Sequence, residues 1–260
     1  MSAFTILQDS GLLTVGGSDR SSFLQGLISN DIDRVTKNCA IWAALLTPQG
    51  KYLHDFFITE IEGRFFLDCE GTRLMDLGQR LSKYKLRASV DFGIEESMTV
   101  ATIYGCSVKE FFTLDAKTGA AAAFCGGIVY RDPRLNDMGV RAILKTDTAK
   151  VALQDIGLKE APAEEYDSFR LSLGIPDGSR DLLVEKSILL ESNFEELNGV
   201  DWNKGCYMGQ ELTARTKYRG LIKKRMVPIK LEGSGPAPGT SILCGAKRVG
   251  EIRSVRSGLG

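Results

Sequence analysis

Short apolar runs separated by polar turns open the chain. Thr5–Leu7 and Leu12–Val15 read as strands around the turn at Asp9–Gly11. Ser18 or Asp19 then caps a helix whose apolar positions, Phe23, Leu24, Leu27 and Ile28, recur at helical spacing. Cys39–Leu46 and Tyr52–Ile61 flank the turn-forming trio Pro48–Gly50 and predict a hairpin that continues into Arg64–Cys69. Leu74, Leu77, Leu81 and Tyr84 predict a helix over Arg73–Leu86. Further on, Met98–Tyr104 is predicted as a strand, Val108–Leu114 as a helix, Ala120–Tyr130 and Gly139–Leu144 as two strands, and Thr148–Ile156 as a helix. Pro162 opens another helix, with Tyr166, Phe169, Leu171 and Leu173, which Gly174–Pro176 stops. From Lys224 onward, alternation in Met226, Pro228 and Lys230, then in Ile242, Val249 and Ile252 among Gly/Pro-rich turns, predicts a small β-barrel or meander. The pattern is α+β with mainly antiparallel strands, divided into residues 1–97, 98–223 and 224–260, the first two free to interleave.

Composition narrows the class without naming a chemistry. At 260 residues the chain can hold two or three cores, and 43% hydrophobic with 25% charged residues is ordinary globular composition. Lys+Arg and Asp+Glu both number 33, so electrostatic gripping of DNA or of an anionic membrane is not its main work. No apolar run approaches membrane-spanning length, and the opening MSAFTILQDSG lacks the basic flank and apolar core of a signal peptide. A soluble protein in a reducing compartment is expected. The six cysteines include no CxxC pair, so no resident zinc or self-held iron–sulfur site is predicted. His54 is the single histidine, and GxSxG, GxGxxG and GxxxxGK[ST] are all missing, which removes the standard hydrolase, dinucleotide and P-loop readings.

One segment departs from generic core: Lys204–Arg215, KGCYMGQELTAR, continuing as TKYRGLIKKR to Arg225. Gly205 and Gly209 bracket Cys206 and Tyr207, and Gln210 and Glu211 stand where a helix should begin, whose free N–H groups favour acceptors. If Arg215 or Lys217 folds back toward Cys206, a thiolate is favoured, giving a nucleophile or transient metal ligand; a buried, inert thiol is the commoner fate. Glu211 can accept the paired N–H edge of a pterin, or simply compensate the helix dipole. Six of the eleven residues from Arg215 to Arg225 are basic, a pattern of a solvated face or of a grip on a polyanionic tail.

KGCYMGQELTARTKYRG closely resembles the signature of the YgfZ-type folate-binding proteins, in particular the branch with the mitochondrial factor for late-stage assembly of four-iron, four-sulfur clusters. SSFLQGLISNDI (21–32), LLTPQGKYLHDFFI (45–58), LSKYKLRASV (81–90), YRDPRL (130–135), YDSFRLSLGIPDG (166–178) and LLESNFEELNGVDWNKGC (189–206) extend the resemblance over nearly the whole chain. It implies the α+β cloverleaf of the glycine-cleavage T-protein superfamily: two α+β subdomains and a C-terminal β-barrel around a central opening for tetrahydrofolate. By the family pattern the barrel is expected to run on beyond Ser257–Gly260.

The resemblance also implies roles. Asp55, Tyr166, Arg170 and Glu211 are expected on the folate: Tyr166 stacking on a ring or else filling the core, and Arg170 holding a glutamate carboxylate or else pairing with Glu164, Glu165 or Asp167. The basic run would reach a polyglutamate tail. Where the T protein has paired acids, this chain has His54–Asp55, and Ser172 or Leu173 stands where that protein has a pterin-binding Glu, which argues against aminomethyl transfer. The KGC cysteine belongs to the YgfZ-type branch. The expected function is a tetrahydrofolate-binding factor that assembles or repairs 4Fe-4S clusters, with Cys206 as a transient thiolate. The alternative is a folate-dependent one-carbon or aminomethyl transferase, or a tRNA-modifying protein. Expected partners are iron–sulfur client or scaffold proteins and folate, with no membrane and no nucleic acid other than tRNA. The expected location is the bacterial cytoplasm, or the mitochondrial matrix in a eukaryote.

Overall fold

A computed structural model describes residues 2–105, 111–220, 222–233 and 235–260. Strands β1 (Ala3–Ile6) and β2 (Ser10–Gly16) lead into helix α1 (Arg20–Gln25). A meander follows, of β3 (Ile41–Leu46), β4 (Tyr52–Ile61) and β5 (Arg64–Glu70), then α2 (Leu74–Lys85) and β6 (Asp91–Ile94). Next come β7 (Met98–Tyr104), the hairpin β8 (Ala121–Phe124) and β9 (Gly127–Arg131), β10 (Val140–Lys145), α3 (Ala149–Asp155), β11 (Lys159–Glu160) and α4 (Ala163–Ser172). The short α5 (Gly178–Asp181), α6 (Gln210–Tyr218) and the hairpin β12 (Ser241–Cys244) and β13 (Lys247–Glu251) complete the order.

Two sheets stack face to face. One has the order β3-β4-β5-β2-β6, the other β11-β1-β7-β10-β9-β8, and all ladders are antiparallel except β1 with β11. The chain passes from the first sheet to the second after β6, yet β1 lies inside the second, so the two subdomains interleave. Between the sheets lie Leu12, Trp42, Tyr52 and Phe57 of one against Tyr104, Tyr130 and Ile143 of the other. The outer face of the first sheet buries Val15, Phe56 and Leu67 under α1 and α2, and that of the second buries Phe4, Ile103 and Ala142 under α3. Strands covered on both faces lose their polar alternation, which is why IWAALL and AILK run apolar almost without interruption. Side chains such as Trp42, Phe4 and Phe56, each at most 1% exposed, contribute on the order of 2–3 kcal/mol apiece.

Several expectations change. The first helix stops at Gln25, so Leu27 and Ile28 enter the core from a loop, and the Asp19 carboxylate accepts from Ser89 N (2.7 Å) rather than capping α1. Ala120–Tyr130 is not one strand but the β8–β9 hairpin, turned at Cys125 and Gly126, both with positive φ. Of the helix expected over Val108–Leu114, residues 108–110 lie outside the described set, and Phe112–Leu114 are not helical. After Lys224 the only strands among the described residues are β12 and β13, with bridges at Lys230–Leu259 and Arg256–Leu259; this sheet does not close into a barrel, in agreement with the incomplete C-terminal barrel expected.

Candidate functional site

The Cys206 loop is held by two segments far from it in sequence. Lys204 Nζ donates to the carbonyls of Gln25 (2.5 Å) and Ile28 (2.9 Å) at the end of α1 and lies 4.9 Å from the Tyr207 ring centre. Desolvation lowers its pKa to about 8, against the nearby Asp31 and Asp201. Met208 N bonds Gly26 O (3.0 Å), and the Gln25 amide bridges Asp31 and the Ile32 N–H. On the other flank, the Pro48–Gly50 turn meets Gly209 backbone to backbone. A Cβ on Gly209 would stand 2.5 Å from Thr47 O, and one on Gly50 would stand 2.7 Å from Gly209 O; both have φ near +80°. Only glycine fits either place.

Within this frame the loop alternates. Tyr207 is buried among the side chains between the sheets, and burial raises its hydroxyl pKa to about 12, with Thr213 working the other way; Cys206 beside it is exposed. Gln210 opens α6, as the sequence predicts, and its side chain donates to Gly205 O (3.2 Å), while Glu211 points to solvent in the first turn. The cations expected to support a thiolate do not reach it. Lys204 is turned to the α1 carbonyls. Lys217 is paired with Glu195 and lies 4.2 Å over the Trp202 ring, and Arg215 is exposed without an ion pair among the described residues. Of the other described cysteines, Cys69 is buried and its thiol is pushed far up by desolvation; Cys39 is half-buried, Cys125 is exposed in the β8–β9 turn, and Cys244 is exposed at the end of β12.

A second cluster of polar groups lies between the sheets. Asp55 accepts from Tyr52 Oη (2.6 Å) and Trp42 Nε1 (3.0 Å), and burial raises its pKa although both hydrogen bonds lower it. A register shift between β3 and β4 at Leu45/Leu46 brings Tyr52, three residues away, to the same face as Asp55. His54, on the opposite face, bonds Asp76 of α2 (2.8 Å), and desolvation lowers its pKa to about 4. Nearby, Arg134 makes a double hydrogen bond to Asp132 and lies 4.7 Å over Phe57, while Arg141 of β10 bonds Asp68 of β5 and lies 4.0 Å over the same ring, tying sheet to sheet. Tyr130 Oη is fully buried with no partner meeting hydrogen-bond geometry.

The expected folate residues therefore separate. Asp55 and Tyr166 belong to this centre, Tyr166 lying in the same buried cluster as Trp42, Tyr52 and Tyr130 and packing 5.5 Å from Tyr104. Arg170 is a structural hub: its guanidinium bonds Asp167 (2.7 Å), Asp181 (2.8 Å), Ile175 O (2.9 Å) and Ser254 Oγ (3.0 Å), leaving it committed to its own chain. Glu211 is on the Cys206 side. Sequence reasoning missed Asp68, Asp132, Arg134 and Arg141; for Asp68 and Arg141 the signal was a single charge within an apolar run of a strand, as in FFLDC and GVRAIL. The acceptor capacity of Asp55, the unbonded Tyr130 hydroxyl and the surrounding rings are groups that suit a pterin. No group of three or more His, Cys, Asp or Glu side chains is placed to hold a metal ion among the described residues.

The two regions are joined through Trp42. Its ring stacks on Phe194 (4.0 Å), and its carbonyl accepts from Asn30 Nδ2 (2.8 Å), which also donates to Asn198 O (2.8 Å); Ser29 Oγ donates to Gly199 O (2.6 Å). The 189–206 stretch thus runs from beside Asp55's indole partner to the exposed thiol.

Residues 223–260 match the C-terminal β-barrel domain of CAF17. The chain is 34% identical over 252 residues to the iron-sulfur cluster assembly factor IBA57, mitochondrial, of Mus musculus, a match that takes in 90% of this chain and 68% of the mouse protein. To the human protein of that name it is 32% identical over 270 residues, covering 96% of this chain and 73% of the other. The Neurospora crassa homolog is 31% identical over 242 residues, of which the chain spans only 55% of the length. Among solved structures, the glycine cleavage system aminomethyltransferase T of Bartonella henselae superposes with a TM-score of 0.78 over 99% of this chain and 74% of that one, at 16% identity, a likeness of fold.

Proposed function

This chain belongs to the IBA57 family of iron–sulfur cluster assembly factors, and from that premise we propose that it binds tetrahydrofolate and assists assembly or repair of 4Fe-4S clusters on client proteins, with Cys206 as a transient ligand. The observation that carries the reading is the convergence of residues 23–32, 47–50 and 204–212 around one exposed thiol. Surface thiols need no such frame, whereas a ligand that must meet a partner's cluster in a fixed geometry does. The step asked of Cys206 is ligand exchange. Its thiol loses a proton to solvent, the thiolate displaces a donor protein's thiolate from an iron of the cluster, and the Cys206–iron bond breaks in turn when a client thiolate replaces it. The cluster is cargo, and client or scaffold proteins are the partners. The names of the relatives place them in mitochondria, and the matrix is the proposed setting for a eukaryotic source.

Asp55 is the residue proposed to accept the pterin's paired N–H groups, with Tyr166 stacking on a ring. Tetrahydrofolate, when bound, supplies a one-carbon carrier that is also a reductant. Calorimetry with tetrahydrofolate tests this part, and activity of a 4Fe-4S enzyme in a strain lacking its own family member tests the assembly role. Binding together with restored activity is expected; restored activity without binding would remove the folate half of the proposal.

Folate-dependent one-carbon transfer, to a carrier protein or a tRNA, is the second reading, favoured by the fold and by the raised pKa of buried Asp55, a property of general bases. The partner acid of the T protein is replaced by His54, which faces α2, so a single carboxylate remains at that place. Methylene-tetrahydrofolate formed from an aminomethylated carrier protein would establish transfer and displace the first reading.

A further inference from the structure

Among the described residues, the first sheet ends on β6, which pairs with β2 along one edge only. Glu95 N donates to Leu12 O, and in an antiparallel ladder bonded pairs alternate, so Gly93 and Asp91 face β2 while the N–H and C=O groups of Phe92 and Ile94 point to the open edge. Between that edge and α2 runs a hollow of about 480 Å3, lined by Leu13, Leu74, Met75, Gly78, Phe92 and Ile94, with Met75 60% and Ile94 47% exposed. A second hollow of about 360 Å3 shares Leu74 and Ile94 and continues the trough. The glycine at position 78 sits mid-helix, where it lowers helix stability. A Cβ there would meet nothing closer than Leu13 Cδ1 at 3.6 Å, so its smallness serves the trough and not the packing beneath it.

The ends of the trough differ in charge. Lys83 stands at the Phe92 end, with no ion pair among the described residues, and Glu95 and Glu96 line the other end. We infer that this trough takes an extended segment of a partner protein, added antiparallel to β6 as a further strand. Its alternate apolar side chains lie in the hollow, basic residues at its start face Glu95 and Glu96, and acidic residues at its end face Lys83. Free backbone groups supply affinity, the hollow selects side chains, and the charges set direction.

The probe is the fluorescein-labelled peptide Lys-Lys-Val-Thr-Val-Thr-Val-Glu-Glu, followed by anisotropy, with the same peptide carrying its charged ends exchanged as the comparison. The peptide is expected to bind at least about tenfold more tightly than the exchanged one and to slow hydrogen exchange at the Phe92 and Ile94 amides but not at Gly93. Ile94→Pro removes one outward N–H, and Gly78→Leu fills the trough while improving the helix; each is expected to cut affinity by about tenfold or more with unchanged or higher Tm. Absence of binding up to about 1 mM, equal binding of the two peptides, or insensitivity to both variants overturns the inference. So does dimerisation of the chain itself that Ile94→Pro abolishes, since a second copy would then be the occupant.

Discussion

His54 and Asp55 are chain neighbours in opposite environments, and each yields a prediction. His54 is held neutral, its pKa lowered from 6.5 to about 4, so the folded state binds a proton less readily than the unfolded chain. Its stabilising effect is complete above pH 6.5 and is lost as pH falls toward 4, by up to about 3 kcal/mol. Denaturant titrations across that interval check this, and His54→Gln flattens the profile there. Asp55 is shifted the other way by burial. Asp55→Asn keeps one oxygen to accept from Trp42 Nε1 and turns its NH2 toward Tyr52 Oη, which can accept, but it loses the charge that a pterin's N–H edge would meet. About tenfold or greater loss of tetrahydrofolate affinity, with near-normal Tm, is the expected calorimetric result. Cys206 and Tyr207 repeat the pattern, with one side chain to solvent and its neighbour between the sheets.

At the scale of elements, the meander β3-β4-β5 and helices α2 and α4 were legible because their apolar spacing and Gly/Pro turns agree with their burial, and the start of α6 was legible from Gly209 before Gln210. β6 and β11 were not, since DFGI is a half-exposed edge and Lys159–Glu160 is only two residues. The β8–β9 turn was hidden by Cys125, a residue that seldom takes positive φ. Among site residues, the KGC loop and Asp55 stood out by motif, but the exposure of Cys206, and the commitment of Lys204 and Arg170 to backbone and acid partners, depend on contacts between segments more than a hundred residues apart or on local folding-back that spacing does not reveal. The Gly50–Gly209 contact gives the element-scale prediction. Gly209→Ala forces a Cβ into Thr47 O at a positive φ, and a stability loss of about 2–4 kcal/mol by thermal or urea denaturation is expected, larger than for an ordinary surface substitution.

For the whole molecule, two sheets share one polar centre and a C-terminal segment is fastened to it. Ser254 N donates to Asp181 (2.9 Å) while Arg170 holds Asp181, Asp167 and Ser254 together, so the hub joins α4, α5 and the 223–260 region. Arg170→Leu leaves the buried Asp181 carboxylate without a cation, while Asp167 keeps Arg180, and a loss of about 3–5 kcal/mol is expected from denaturation curves, with the C-terminal segment the first to gain protease sensitivity. The thiol loop is supported independently of that hub, by α1 and the Pro48–Gly50 turn, so the frame around Cys206 and the folate centre can be disturbed separately. The most direct test of the account is therefore 4Fe-4S enzyme activity in a strain lacking its own family member, complemented with Cys206→Ser beside Cys125→Ser, an exposed thiol outside the frame. Cys206→Ser protein that is folded and retains wild-type tetrahydrofolate affinity yet restores little activity, while Cys125→Ser restores it fully, is the predicted result. Full restoration by Cys206→Ser would contradict the role assigned to the thiol.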